Sequence, residues 1–288
     1  MAAKRPPNTT QTLPNGVEVE YWDAIGVDGL PQQRRYRIDG EKFTSISTVA
    51  GIFDKPALTP AAVKLQEAGA IALAADGVDL ASLTQPELRS LLVERGLHYD
   101  SVWQVARDRG DLAHDHLLHL IRDGKVAKRS DYEADIWPWI QAGMRFVLDH
   151  RPQPIACEYI VASAEHRVAG RADLFARMRD DSTARVDFKT VTEWKYRERT
   201  VKGERVMTDE LLPPYDENIV QIAGYELCSV ASGYDPAERK LIVRLGPDGR
   251  YDVFESVADE SVFLGALGAY RARQVVRQPG SAQVELAA

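Results

Sequence analysis

The 288-residue chain is 44% hydrophobic and 27% charged, the composition of an ordinary globular protein with material for one large domain or two small ones. Its 36 basic and 43 acidic residues leave a net charge of −7, which excludes a general electrostatic footprint for nucleic acid, so any such site must rest on a local patch or on metal ions. The 2 cysteines, Cys157 and Cys228, exclude a disulfide framework and metal-knuckle spacing and point to a reducing, cytoplasmic setting.

Residues 1–14 read as a disordered leader without the apolar stretch of a signal peptide. No run of about 18 apolar residues follows to span a membrane. VEVEYWDAI and RRYRIDGEKF alternate as short strands, with Asp39-Gly40 a hairpin turn. From about 47 to 150 the pattern is mostly helical. The helix candidates are TPAAVKLQEAGAIALAA, then TQPELRSLLVERG with a Thr84–Glu87 capping box, then SVWQVARDRGDLAHDHLLHLIRDG closed by Gly124. DYEADIWPWIQAGMRFVLDH is a fourth, expected to bend near Pro138.

Beyond Pro152 and Pro154 the pattern changes to strands. CEYIVASAEHRVAGRADLFARM reads as two strands around a turn, and ARVDFKTV as a third. Residues 195–205 read as part of a long loop, 216–232 as helix, KLIVRLGPDGRYDVFESV as a hairpin around 247–249, and 258–277 as a last helix. The order implies an α/β or α+β fold as a single domain over 15–277. A hairpin and helical part covers 15–150, a catalytic sheet with flanking helices covers 151–277, and 278–288 form a flexible tail.

Chemistry concentrates in VDFKT. In a strand, Val186 and Phe188 face a core while Asp187 and Lys189 share the other face. Opposite charges in a half-buried strand are costly unless paired or used. The bare pattern acid-x-Lys is uninformative: Asp123-Gly-Lys125, Glu193-Trp-Lys195 and Glu238-Arg-Lys240 match it too, and only Asp187-Phe-Lys189 lies inside an apolar strand. Upstream, VAGRAD ends in Asp173, which an antiparallel neighbour would bring beside Asp187. Two adjacent carboxylates repel unless a cation lies between them, and oxygen ligands favour Mg²⁺ or Mn²⁺. RGDLAH places His114 on a helix with Gly110 and Ala113 nearby, small residues that let another backbone approach. His116 and His119, on the same helix, read as solvated. Gln221 and Tyr225 of QIAGY share a helical face at i and i+4.

RGDLAH, the Glu158 strand, VAGRAD, VDFKT and QIAGY, in this order over roughly residues 107–226, resemble the PD-(D/E)XK nuclease superfamily and, within it, the RecB-like branch. YRIDGEKFTSISTVAGIFDKPAL resembles the N-terminal region of phage members more weakly. The resemblance implies a restriction-endonuclease-like core: a small mixed central sheet flanked by helices, behind a mostly helical N-terminal half. It implies metal ligation by His114, Asp173, Asp187 and the Phe188 carbonyl, holding one or two ions of Mg²⁺ or Mn²⁺. Lys189 would polarise the attacking water, Gln221 and Tyr225 would orient the nucleophile or touch the substrate backbone, and Glu158 would be a further ligand through water or a positioning group. Four-cysteine members of the branch hold an iron–sulfur cluster. Only 2 cysteines here exclude it and point to the cluster-free phage recombination exonucleases. The implied activity is exonucleolytic hydrolysis of DNA to 5′-phosphate products in recombination or repair, with a strand-annealing partner and a homo-oligomer as possible associates. An endonuclease, an RNA or flap nuclease, and a silent DNA-binding scaffold remain alternatives.

KYRERTVKGER holds five basic and two acidic residues. Such a run is usually a solvated loop. Here Lys195, Arg197, Arg199, Lys202 and Arg205 could instead grip a phosphate backbone, with Trp194 and Tyr196 stacking on bases.

Overall fold

The computed structural model describes residues 7–23, 34–53, 58–126, 128–132, 135–201 and 204–276. An antiparallel meander comes first: β1 (Thr9–Thr12), β2 (Glu18–Trp22), β3 (Arg35–Ile38) and β4 (Glu41–Ser45). Between β3 and β4, Asp39 and Gly40 both take positive φ, 51° and 76°, the conformation the two-residue hairpin requires. β1 corrects the expected disordered leader over its four residues. TTQT has no apolar alternation of its own and becomes a strand by pairing with β2, Thr9 opposite Tyr21 and Thr12 opposite Glu18. Residues 1–6 of that leader and the expected tail at 278–288 lie outside the described residues.

Among the described residues the α-helices that follow are α1 (Ile46–Ala50), α2 (Leu58–Ala75), α3 (Gln85–Glu94), α4 (Tyr99–Asp123) and α5 (Trp137–His150). The Thr84 backbone N–H and hydroxyl both donate to Glu87 Oε2, at 2.8 and 2.6 Å, which fixes the start of α3. Gly124 ends α4 in the left-handed conformation at φ 66°. Pro138 does not bend a longer helix. It sits in the first turn of α5, where its missing N–H has no partner to lose, so the helix starts there instead.

The second half supplies β5 (Gln153–Ser163), β6 (Val168–Arg177), β7 (Thr183–Thr190), β8 (Tyr196–Val201), β9 (Glu204–Leu211), α6 (Asp216–Ala231), β10 (Arg239–Leu245), β11 (Tyr251–Glu255) and α7 (Glu260–Val276). The fold is mixed α/β. One sheet of nine strands runs β1-β2-β3-β4-β6-β7-β10-β11, with β5 also on β6. It is larger than the small sheet expected, because the meander joins it through a parallel contact of β4 with β6, Thr44 opposite Val168 and Ser45 opposite Ala169. Of the stretch expected as loop, residues 196–201 and 204–205 are strand. β8 and β9 form a separate two-stranded ribbon.

Helices cover both faces of the sheet. On one, α4 and α5 pack Leu117, Leu118 and Phe146 against Leu174, Val186, Phe188 and Val243. On the other, α1, α6 and α7 pack Ile46, Val220 and Phe263 against Val161 and Phe175. A third cluster joins the meander to β5 and β6 through Tyr21, Tyr36, Ile38, Ile160 and Ala169.

The pairing of β6 creates a fork. β5 runs along the strand from Gln153–Arg177 to Ser163–Val168. β7 pairs with β6 only over 174–177, and β4 only over 168–169, so residues 170–173 pair with neither. β7 meanwhile continues to Thr190 on β10. The two strands therefore diverge at Asp173 and Asp187, and the opened gap is where a site can form.

Candidate active site

Asp173 and Asp187 face each other across the fork. The Phe188 N–H, which lost its strand partner where β6 and β7 part, donates to Asp173 Oδ2 at 2.8 Å. A carboxylate thus completes the backbone that the diverging strand leaves open. Lys189 Nζ donates to Asp187 Oδ1 at 2.8 Å and lies 2.7 Å from Oδ2, which is buried and has no directed hydrogen bond. His114 comes from α4. Its Nδ1 is 3.9 Å from Asp173 Oδ2, its ring meets Phe188 edge-on at 6.0 Å, and it hydrogen-bonds the Phe188 backbone. Gly110 makes this docking possible, since a Cβ there would stand 2.9 Å from Thr190 Oγ1.

The electrostatics follow from burial and crowding. Burial pushes the Asp187 carboxyl up and Lys189 opposes it, but Asp173 adds repulsion, and the result is about 6. Burial raises Asp173 as well, against Lys189 and the Phe188 N–H. Burial would lower Lys189, yet the two aspartates outweigh it and raise its pKa. Burial and the neighbouring ammonium push His114 down to about 4, leaving a neutral imidazole able to donate a lone pair. Asp187 is 1% exposed, whereas His114, Asp173 and Lys189 keep 25%, 19% and 27% of their side chains open, so the group is reached from one side.

Gln221 Nε2 donates to the Tyr225 hydroxyl at 2.7 Å, as their i, i+4 spacing predicts. The Tyr225 phenol is buried, and burial, with the charges of Asp187 and Asp173 adding to it, raises its pKa well above the usual value. Its ring lies over Gly170, where a Cβ would stand 2.9 Å from it. Glu158 lies on β5 between the pairs Cys157–Leu174 and Tyr159–Ala172, with a left-handed φ of 46° that turns it out of the strand's alternation. Its carboxylate is 3.9 Å from Arg171, which also holds Asp23 at 3.2 Å. Glu158 therefore stands behind Asp173, tied to an arginine.

The other α4 histidines do not share this group. His116 is not solvated: it is 8% exposed and accepts or donates at 2.7 Å to the Tyr132 hydroxyl. His119 bonds Asp123 at 3.0 Å. The ribbon cations are also less available than their run implied. Glu210 lies 3.4 Å from Arg197 and 2.8 Å from Arg199, Glu198 lies 3.8 Å from Arg205, and Lys195 bonds the Tyr215 hydroxyl at 3.1 Å. Lys202 lies outside the described residues. Trp194 is not free to stack from both sides, because its indole lies on Gly246 and its Nε1 donates to Asp248 at 3.0 Å. The Tyr196 hydroxyl accepts from Arg250 at 3.4 Å.

Two cavities flank the Lys189–Thr190 end of β7. One, of about 770 Å³, runs along α4 past Arg34, Trp103, Arg107, Gly110 and His114. The other, of about 500 Å³, lies towards the ribbon. Sequence reading missed Trp103 and Arg107. The signal was present: 103, 107, 110 and 114 step along one face of α4 at helical spacing.

The donors suit a hard divalent ion by chemistry: two carboxylates, a neutral imidazole and a backbone carbonyl, with one buried aspartate oxygen lacking a directed hydrogen bond. Among the described residues no three His, Cys, Asp or Glu side chains converge tightly enough to hold an ion as they stand. Lys189 takes the position on Asp187 that a cation would share.

No family model matches the chain, and no curated protein matches it. A solved structure titled "Crystal structure of SSO0001" aligns with 59% of this chain and 74% of its own at 15% identity, with a TM-score of 0.29. Among the described residues no helix is long and apolar enough to cross a membrane.

Proposed function

We propose that the protein is a divalent-metal-dependent nuclease that hydrolyses phosphodiester bonds of DNA, as an exonuclease of the PD-(D/E)XK type. The observation that carries the reading is the meeting of His114, Asp173, Asp187 and Lys189 from α4, β6 and β7 in the fork of the sheet. Two acids gain nothing structural from being buried together, since burial raises both carboxyls and Asp173 adds repulsion at Asp187.

In this reading Asp173, Asp187, His114 and the Phe188 carbonyl would hold Mg²⁺ or Mn²⁺. When bound, the ion acidifies a water and neutralises charge at phosphorus. Lys189 presents a cation at the mouth of the site, where it meets a phosphate oxygen or steadies the nucleophilic water. Tyr225, fixed by Gln221, orients what lies over Gly170. Glu158 acts through Arg171 as a positioning residue.

The test is digestion of end-labelled linear and circular DNA with Mg²⁺, Mn²⁺ or EDTA. Linear DNA is degraded with metal and preserved in EDTA, and Asp187→Asn lowers the rate at least about a thousandfold, some 4 kcal/mol of barrier. Equal inertness of wild type and Asp187→Asn over all metals and ends would sink the proposal. Degradation of circles as fast as lines would make it an endonuclease.

A further inference from the structure

The ribbon-side cavity has a composition that phosphate binding does not call for. Its volume of about 500 Å³ lies within the range of small-molecule pockets. Its walls include Trp194, Leu212, Pro213, Pro214 and Tyr215, and its floor is the end of the same strand that carries Lys189. A groove made only to track phosphates would be lined by cations alone, whereas Lys189, Lys195 and Arg244 here share the lining with Glu193 and these apolar and aromatic groups. Here the arginine that lines it, Arg244, is taken up by Asp252 at 2.6 Å and by the Leu212 carbonyl at 2.7 Å, so it builds a wall instead.

That wall is preformed. Gly246 leaves room for the Trp194 indole, which would collide with a Cβ there, and Asp248 fixes the indole N–H. Tyr215 is 43% exposed, and Lys195 Nζ stands 5.7 Å from its ring centre. A flat aromatic surface is therefore open to a ligand and has a cation beside it. Thr192 and Asn218 supply polar groups on the same lining.

We infer that this cavity receives an unpaired nucleobase of the strand whose phosphate lies at Lys189, with Tyr215 as the stacking surface and Lys195 as the counter-ion to the flanking phosphate. A nucleobase has two flat apolar faces and a polar edge, which matches aromatic and proline walls with a few hydrogen-bonding groups. The shared Lys189–Thr190 floor makes the cavity contiguous with the candidate site, so base and scissile phosphate belong to neighbouring positions of one strand. The substrate class is thereby narrowed to single-stranded or frayed DNA ends. The inference rests on the nuclease reading, and its test is made without cleavage.

Fluorescence anisotropy in EDTA measures binding of a labelled oligothymidine and of an abasic strand with the same phosphates. The wild type binds the base-bearing strand roughly 5- to 150-fold more tightly. Tyr215→Ala, and Leu212→Trp, which fills the cavity from an exposed position, bring that ratio close to one. Tyr215→Phe retains the ratio, which separates loss of the ring from loss of the hydroxyl. Equal binding of both strands by the wild type overturns the inference while leaving the nuclease reading intact. Inert protein that still discriminates the two strands would sink only the nuclease reading. Saturation by thymidine monophosphate that oligothymidine cannot displace would mean the cavity holds a free nucleotide, and the inference would fail.

Discussion

Lys189 decides how the candidate site is understood, because it contacts both oxygens of Asp187 yet remains open to the cleft. If its role were to neutralise a buried acid, removing it would leave Asp187 and Asp173 repelling each other and would cost several kcal/mol. If its role is at phosphorus, Lys189→Ala opens Asp187 to a metal ion and lowers the rate of hydrolysis. Isothermal titration should therefore show Mn²⁺ binding retained or strengthened in Lys189→Ala, with activity reduced on the order of a hundredfold or more. Loss of Mn²⁺ binding together with a large drop in stability would return Lys189 to a structural pair. His150, away from this group, gives a separate pH test. Burial lowers its pKa, and Arg239 adds to this against Asp149. A folded-state pKa below the unfolded value of about 6.5 means that stability present above that pH is lost as the pH falls through it. Urea midpoints measured from pH 7 to pH 5 should fall more steeply for the wild type than for His150→Gln, and parallel slopes would show that His150 does not contribute.

Single elements explain which parts of this fold could be read in the sequence. VDFKT and VAGRAD were legible because strand alternation fixes which side chains share a face, and β7 and β6 keep that alternation up to the fork. The Thr84 box and Gly124 were legible because caps are local chemistry. β1 and the β8–β9 ribbon were not, since TTQT and KYRERT carry no apolar stripe and become strands through a partner. Arg197 and Arg199 misled for the same reason: the ribbon register brings Glu210, eleven or more residues later, beside both. For Trp194 the sequence left open a solvated loop or a base-stacking role, and its place is set by the β10–β11 turn, which no local pattern announces. That turn yields a prediction at this scale. Gly246→Ala puts a Cβ into the indole, so Trp194 must move. We expect destabilisation of about 1–3 kcal/mol from overpacking and a shifted tryptophan emission, and an unchanged spectrum with unchanged stability would show that the loop yields freely.

At the scale of the molecule, the question is whether the N-terminal meander is an appendage or part of the body that holds the candidate site. The direct strand link between them is short, only Thr44 and Ser45 of β4 on Val168 and Ala169 of β6. The packing is more extensive. Ile160 and Ala162 of β5 and Ala169 of β6 share one core with Val19, Tyr21, Tyr36, Ile38 and Phe43. The Leu13–Val17 turn is fastened to the end of α6 as well, with Asn15 donating from its backbone to the Ser232 carbonyl and from its side chain to that of Ala231. α6 in turn carries Gln221 and Tyr225, so the meander braces the helix that completes the site. Asp23 adds a polar link through Arg171. The two parts should therefore unfold together. Circular dichroism and tryptophan fluorescence should give coincident urea transitions. Ile160→Ala, at a position 2% exposed, should shift both by the same amount, about 2–5 kcal/mol. A transition of the meander at lower urea, with the second half still folded, would show that Ile160 and Asn15 join the two parts too weakly for the first to brace the second.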